Sequence, residues 1–301
     1  MRRRALKGAT VLLAAGALIS LGMSPASAND GHRHREIQQT VHVTGNGSSV
    51  HLDHATVWSG SIRFAVSTTN KSSPDGGGSA VTLFRIKPGK STADLMKGFN
   101  DEFSPKNAAL GTRELTAAAT FRGLADVVVH SPEVVTEYLS PGTYYLLDLG
   151  NTPKGPPHVT TLTVKQAKPR MNIEQDSDLA SQTTIRATSA DRFVAPRNWP
   201  HKGTYTFRNT SDTLHFMELQ PVKKNTTDKQ IQKYFDSHVQ TPPPFLKMGP
   251  SGGNDVVSPG KSLQVTYNLP RGTYVLLCFV SDDKTGMPHA VMGMHKVVVL
   301  R

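Results

Sequence analysis

Alternation of apolar and polar side chains dominates this chain, and only two stretches depart from it towards helical spacing. The segments SIRFAVSTT (61–69), VTLFRI (81–86), YYLLDL (144–149), TYTFRN (204–209), HFMELQPV (215–222), SLQVTYNL (262–269), TYVLLCFV (273–280) and KVVVL (296–300) alternate or run apolar. They are rich in β-branched and aromatic residues, and Gly, Pro, Asn, Asp and Ser separate them. That pattern predicts strands, and their spacing predicts an all-β sandwich or barrel. STADLMKGFNDEF (91–103) and TTDKQIQKYFDSH (226–238) read as short helices. Each opens with Ser or Thr shortly before an Asp, a helix-start signal.

The pattern also repeats. LSPGTYYLLDL (139–149) and LPRGTYVLLCF (269–279) align through Gly142-Thr143-Tyr144 and Gly272-Thr273-Tyr274. His158 then matches His289, each after a proline, and Asp148 falls where Cys278 sits. Trp58 and Trp199 each lead into a strand pair, and each half carries one helical insertion. AKPRMNIEQD (167–176) breaks the β pattern. The organisation expected is therefore two tandem sandwiches, over 41–166 and 177–301, after a loose polar segment at 29–40. The glycine-rich PDGGGS (74–79) reads as a hairpin connection and not as a phosphate loop.

The first 28 residues predict export of the working chain from the cytoplasm. Four basic residues (Arg2, Arg3, Arg4, Lys7), an apolar run from Ala9 to Leu21 and Ala26-Ser27-Ala28 have the layout of a secretory signal over 1–28. The apolar run is too short for a membrane span, so no integral membrane segment is expected in the mature protein. RRRALK loosely resembles a twin-arginine signal, which would suit export of a folded protein. Removing the 28 residues lowers the formal charge from +11 to +7. A mildly basic exported chain could contact anionic cell-wall polymers. No basic patch interleaved with aromatics points to nucleic acid.

Cys278 is the only cysteine, so it cannot form an internal disulfide. With Tyr274 and Leu276 it shares one face of its strand, at the strand's end. The polar loop SDDKTG (281–286) follows, then His289, Met292 and Met294. His215 opens another strand, six positions after Asn209. A thiol, imidazoles and thioethers at one end of a sandwich read in two ways. One is an inert buried thiol beside core methionines. The other is a soft ligand set suited to copper, with two imidazoles and a thiolate in a plane and a weak axial methionine.

The arrangement Asn209…His215, Gly272-x-Tyr274-x-x-x-Cys278 and His289-x-x-x-x-Met294 resembles the cupredoxin (blue-copper) family. HAVMGM (289–294) is similar to the copper loop of copper nitrite reductases. The resemblance implies cupredoxin-like Greek-key sandwiches and one type 1-like copper ion. His215 and His289 match the imidazole ligands, Cys278 the thiolate and Met294 the axial thioether, with Met292 as the alternative. Ten residues separate Cys278 from His289, more than is usual in the family. The first half departs further, with Asp148 at the cysteine position, Thr82 or Val81 at the first histidine position and no methionine after His158. It is expected to bind no blue copper and to be structural or to cover the second half.

The function so implied is a secreted mononuclear copper protein that transfers electrons or holds copper, working with a redox partner or a copper donor or acceptor. The alternative is a metal-free binding or structural module at the cell surface. A two-site copper enzyme would need a histidine beside the cysteine, whereas Leu277 and Phe279 flank Cys278. The remaining histidines form no defensible pattern. His32 and His34 lie in the polar tail, and His51 and His54 fall on opposite strand faces.

Overall fold

The computed structural model describes residues 39–301, apart from 72–77, 130, 151–157, 169–180, 182 and 238–241. The signal segment, the polar segment up to residue 38, and most of 167–176 therefore lie outside the described residues, as does most of the glycine-rich connection. No described helix is long and apolar enough to cross a membrane.

The chain is all-β, as expected, with eighteen strands among the described residues arranged in two sheets. The first half holds β1 (Gln39–Gly45), β2 (Val50–Leu52), β3 (Thr56–Trp58), β4 (Gly60–Thr68), β5 (Gly78–Ile86), α1 (Thr92–Glu102), α2 (Ala108–Ala118), β6 (Ala119–Val128), β7 (Glu133–Leu139), β8 (Gly142–Asp148) and β9 (Thr160–Lys165). The second half holds β10 (Thr183–Thr188), β11 (Arg192–Val194), β12 (Asn198–Trp199), β13 (Lys202–Asn209), β14 (His215–Val222), α3 (Asp228–Asp236), β15 (Gly252–Val257), β16 (Ser262–Asn268), β17 (Gly272–Leu277) and β18 (His295–Leu300). Every strand segment read from the sequence is present.

One pairing scheme occurs in both halves. β1 pairs with β2 antiparallel and with β4 parallel; β10 pairs likewise with β11 and β13. β5 lies between β6 and β8, and β14 between β15 and β17. β9 and β18 close the second sheet of each half beside β8 and β17, and each takes a short parallel partner, β3 or β12. The halves are nevertheless joined. β7 pairs with β16, and β6 meets β15 at Arg122 and Val257, so each sheet runs through both halves. The sequence pattern does not show this, because edge strands that meet a second unit look like ordinary strands.

Apolar side chains from both sheets meet in one continuous core, which includes Phe64, Phe84, Phe121, Phe207 and Leu263. A smaller core lies under α3, where Ile231 and Phe235 pack with Val275, Leu277 and Phe279. At the junction Gly123 has φ +84, and a Cβ there would meet the Leu263 side chain at 2.4 Å. Only glycine combines that backbone with so close an approach.

Both helical insertions form where expected. Ser91 and Thr227 cap α1 and α3 with complete capping boxes to Asp94 and Gln230. The first half carries a second helix, α2, that the sequence reading lacks. Asn107, a usual N-cap residue, makes no side-chain capping bond here and donates its amide to Asp101 instead. Leu115 faces the core, while Leu110 is exposed.

Candidate metal centre

Three separate strand ends deliver the candidate ligands. Asn209 ends β13, and its buried amide donates to the carbonyls of Thr213 and Val257, both at 2.8 Å. The same side chain accepts from the Ser211 amide and hydroxyl at 3.0 and 2.7 Å. The turn before His215 is thereby fixed from both sides. The β14–β15 register shifts between His215 and Met217, an irregularity that re-aims the side chain at the strand's start.

Cys278 comes immediately after β17 and is fully buried in the main core. Leu277 and Phe279 belong to the smaller core under α3. This is the alternation expected of extended chain.

The long loop to His289 does not scatter the ligands. Ser281 and Pro288 form a bridge, and the His289 amide donates to the Val280 carbonyl at 3.0 Å. The Ala290 amide donates to the Cys278 carbonyl at 2.6 Å. The extra residues thus project as a small hairpin beyond the site. Its turn is held by Asp282, whose Oδ1 accepts from the Lys284 and Thr285 amides and the Thr285 hydroxyl.

The ligand atoms converge. Cys278 Sγ lies 3.7 Å from His215 Nδ1 and 3.7 Å from His289 Nδ1. All three atoms fall within 4.8 Å of one another, and all three residues are buried. The rings approach with centroids 4.7 Å apart, tilted by 50°. Three donor atoms this close together could all reach one ion, and a thiol with two imidazoles is a donor set that fits a small, borderline-soft ion.

Met294 is fully buried, and its amide donates to the His289 carbonyl at 2.8 Å. Met292 is only half-buried, and its sulfur accepts from the Thr285 hydroxyl at 3.9 Å.

Burial also sets the protonation. It lowers His215 to about 3, helped by repulsion from His289. It lowers His289 as well, against opposing pulls from Asp191, Asp282 and Asp283. Both rings are neutral at pH 7, the state a metal requires.

The strand pairing and the convergence of these side chains give the same answer. The fold is cupredoxin-like. Its second half carries a His-Cys-His-Met group like a type 1 copper site, and the group fits a single such ion. No protein-family profile and no curated protein sequence matches the chain. Solved structures do match. Reduced auracyanin from Roseiflexus castenholzii is 20% identical over 40% of this chain and 99% of its own, with a TM-score of 0.25. Rusticyanin is 17% identical over 40% of this chain and 77% of its own, with a TM-score of 0.24. Copper nitrite reductase from Nitrosomonas europaea is 8% identical over 89% of this chain and 94% of its own, with a TM-score of 0.22.

The cupredoxin-like first half has no such cluster among its described residues. Asp148 is fully buried and accepts from the Gly47 and Gly150 amides at 2.7 and 2.9 Å. His158 is exposed. The pairing of Glu218 with Leu277 and of Thr82 with Leu147 equates these two positions. His215 then aligns with Ser79, and not with Thr82 or Val81 as the sequence suggests. Counting from the repeat alone misplaced this strand, because no motif anchors it.

Two contributors escaped the sequence reading. One is the α1–α2 pair, which grips the metal-loop hairpin. Thr112 Oγ1 donates to the Ser281 carbonyl at 2.8 Å, and Ser281 Oγ to Glu102 Oε1 at 3.3 Å. Arg113 donates to the Asp283 carbonyl. Gly286, at φ +72, lies against Ala109. The other is Asp191, in the β10–β11 turn, whose Oδ1 lies 3.8 Å from His215 Nε2 and 3.7 Å from His289 Nε2. An aspartate between two short strands reads as an ordinary turn residue, so nothing in the sequence marked it.

Proposed function

We propose that this is an exported copper protein in which His215, Cys278 and His289, with Met294 as axial donor, hold one copper ion for electron transfer. One observation carries the reading: a buried sulfur with two buried imidazole nitrogens each 3.7 Å from it, all three atoms within 4.8 Å of one another. Bound copper would supply one-electron exchange through its two oxidation states. The chain supplies the rest. Asn209 and the loop hydrogen bonds hold the rings, and full burial of the donors excludes water. Such pre-set ligands would limit reorganisation when the charge of a bound ion changes. Complete burial of Met294 favours it over half-buried Met292.

In this reading residues 1–28 direct export and 29–40 are a polar lead. Residues 177–301 form the metal-bearing unit. Residues 41–166 form a unit without copper that covers the ligand loop through α1 and α2. The absence of a histidine beside Cys278 argues against a second, wired copper and so against a two-site enzyme.

The test is a copper titration of the purified mature protein. One equivalent should bind and give intense visible absorption, and Cys278→Ser should lose that absorption. Wild-type protein with neither stoichiometric copper nor colour would reject the proposal and leave the metal-free scaffold.

A further inference from the structure

Asp191 occupies a backbone conformation, φ +50, that glycine adopts more readily than any residue with a side chain. A side chain kept in such a position is often there for function. Its turn is tied to the site. Arg192, the next residue, donates to the carbonyls of Ala190, Asp191 and Met292, the last of these in the ligand loop. Arg192 also lies within 3.0 Å of the position a Cβ would take on Gly293. The β10–β11 turn is thus fastened over the two imidazoles.

The rings have an unmet need on that side. Their Nδ1 atoms face Cys278 Sγ, while both Nε2 atoms are buried without a hydrogen-bond partner. Asp191 Oδ1 lies 3.8 and 3.7 Å from these two atoms, slightly beyond hydrogen-bond range. A single carboxylate oxygen has two lone pairs and can serve both. Asp282 also approaches His289, but its Oδ1 is engaged by its own turn. An imidazole that offers Nδ1 to a metal must carry its proton on Nε2. In a dry site that proton requires an acceptor.

We propose that Asp191 is a positioning residue that accepts from both Nε2–H groups. It holds the two rings in the tautomer whose Nδ1 lone pairs face the sulfur. Its negative charge then favours the more highly charged metal. The consequence for metal rests on the copper reading above; the tautomer claim does not.

Two variants separate shape from charge. Asp191→Gly suits φ +50 and removes the carboxylate. Asp191→Asn also tolerates that conformation and keeps an acceptor oxygen without charge. Nitrogen-15 NMR of the metal-free wild type should show both rings protonated at Nε2, and Asp191→Asn should keep that state. Competition assays with Cu(II) and Cu(I) should show Asp191→Gly losing about 10–100-fold in Cu(II) affinity and less in Cu(I) affinity. The reduction potential should therefore rise in both variants. Rings protonated at Nδ1 in the metal-free wild type would overturn the proposal. So would an Asp191→Gly protein with unchanged Cu(II) affinity and potential. If wild-type protein took up no copper, the copper reading alone would fall, and the NMR result would still decide the role of Asp191.

Discussion

The same end of the sandwich is built twice in this molecule, with opposite polarity. In the second half, Cys278 stands between His215 and His289, and Asp191 closes the far side from the β10–β11 turn. In the first half, Asp148 stands at the cysteine position, and the β1–β2 turn supplies the Gly47 amide. Ser79 replaces His215 and also hydrogen-bonds Asp148. The first site has its anion at the centre and its donors around it, so its hydrogen bonds close on themselves. The second has a thiol and two imidazoles at the centre and a carboxylate outside, so its central atoms are potential ligands. A scaffold tolerates either arrangement. Only the second leaves chemistry for a ligand to complete.

The comparison can be broken most severely at the central residue. Cys278→Asp gives the second half the first half's anion. It should abolish the intense absorption entirely and lower Cu(II) affinity at least about a hundredfold, because a hard oxygen replaces the soft thiolate. Visible spectroscopy with competitive titration reads both effects.

Acid should distinguish the halves next. His215 is neutral in the folded protein down to about pH 3, but it protonates near 6.5 once unfolded. The unfolded chain therefore binds more protons, so metal-free stability is full above about pH 6.5 and falls as the pH drops towards 3. The loss is at most about 4–5 kcal/mol at 1.4 kcal/mol per pH unit. Denaturant melts of metal-free protein across that range measure it, and His215→Gln should flatten the profile.

The reverse exchange is a smaller perturbation. Asp148→Cys should create no second copper site, because His158 is exposed and Ser79 offers no imidazole. It should cost about 2–3 kcal/mol by leaving the buried Gly47 amide and the half-buried Gly150 amide without their acceptor. Metal analysis should still give one ion per chain, with a lower Tm.

The gentlest test sharpens the covering role of the first half. Thr112→Val removes one hydrogen bond from α2 to the Ser281 carbonyl. A loss of about 1 kcal/mol is expected, together with faster copper release in a chelator assay. Unchanged release would separate α2 from the metal loop.

Much of this was legible in the chain. The strand at 273–277 announces itself by alternation, Cys278, His289, Met292 and Met294 stand out after it, and the structure brings Cys278 and His289 beside His215. His215 was visible as a strand-opening histidine after Asn209. The loop from 279 to 288 is longer than is usual in the family that the sequence resembles. In the folded chain it is a hairpin that leaves the site untouched, because the Ser281–Pro288 bridge restores the register on both sides. The counterpart of His215 was misread as Thr82 or Val81, since strand register is set by pairing and β5 has no ligand to anchor it. α2 is absent from the sequence reading because a lone Asn107, without a Glu or Gln three positions on, marks a turn as readily as a helix start.

The sequence by itself determined the β class and the helix starts at Ser91 and Thr227, which follow from residue type and short-range spacing, and it offered Cys278, the histidines and the methionines as candidate soft donors. The tertiary structure alone decided that both sheets run through the two halves, that α1 and α2 grip the metal loop, and that Asp191 reaches both imidazoles. These are contacts between residues up to about 180 positions apart. No local pattern encodes them, because they arise only when strand pairing brings distant turns to the same end of the sandwich.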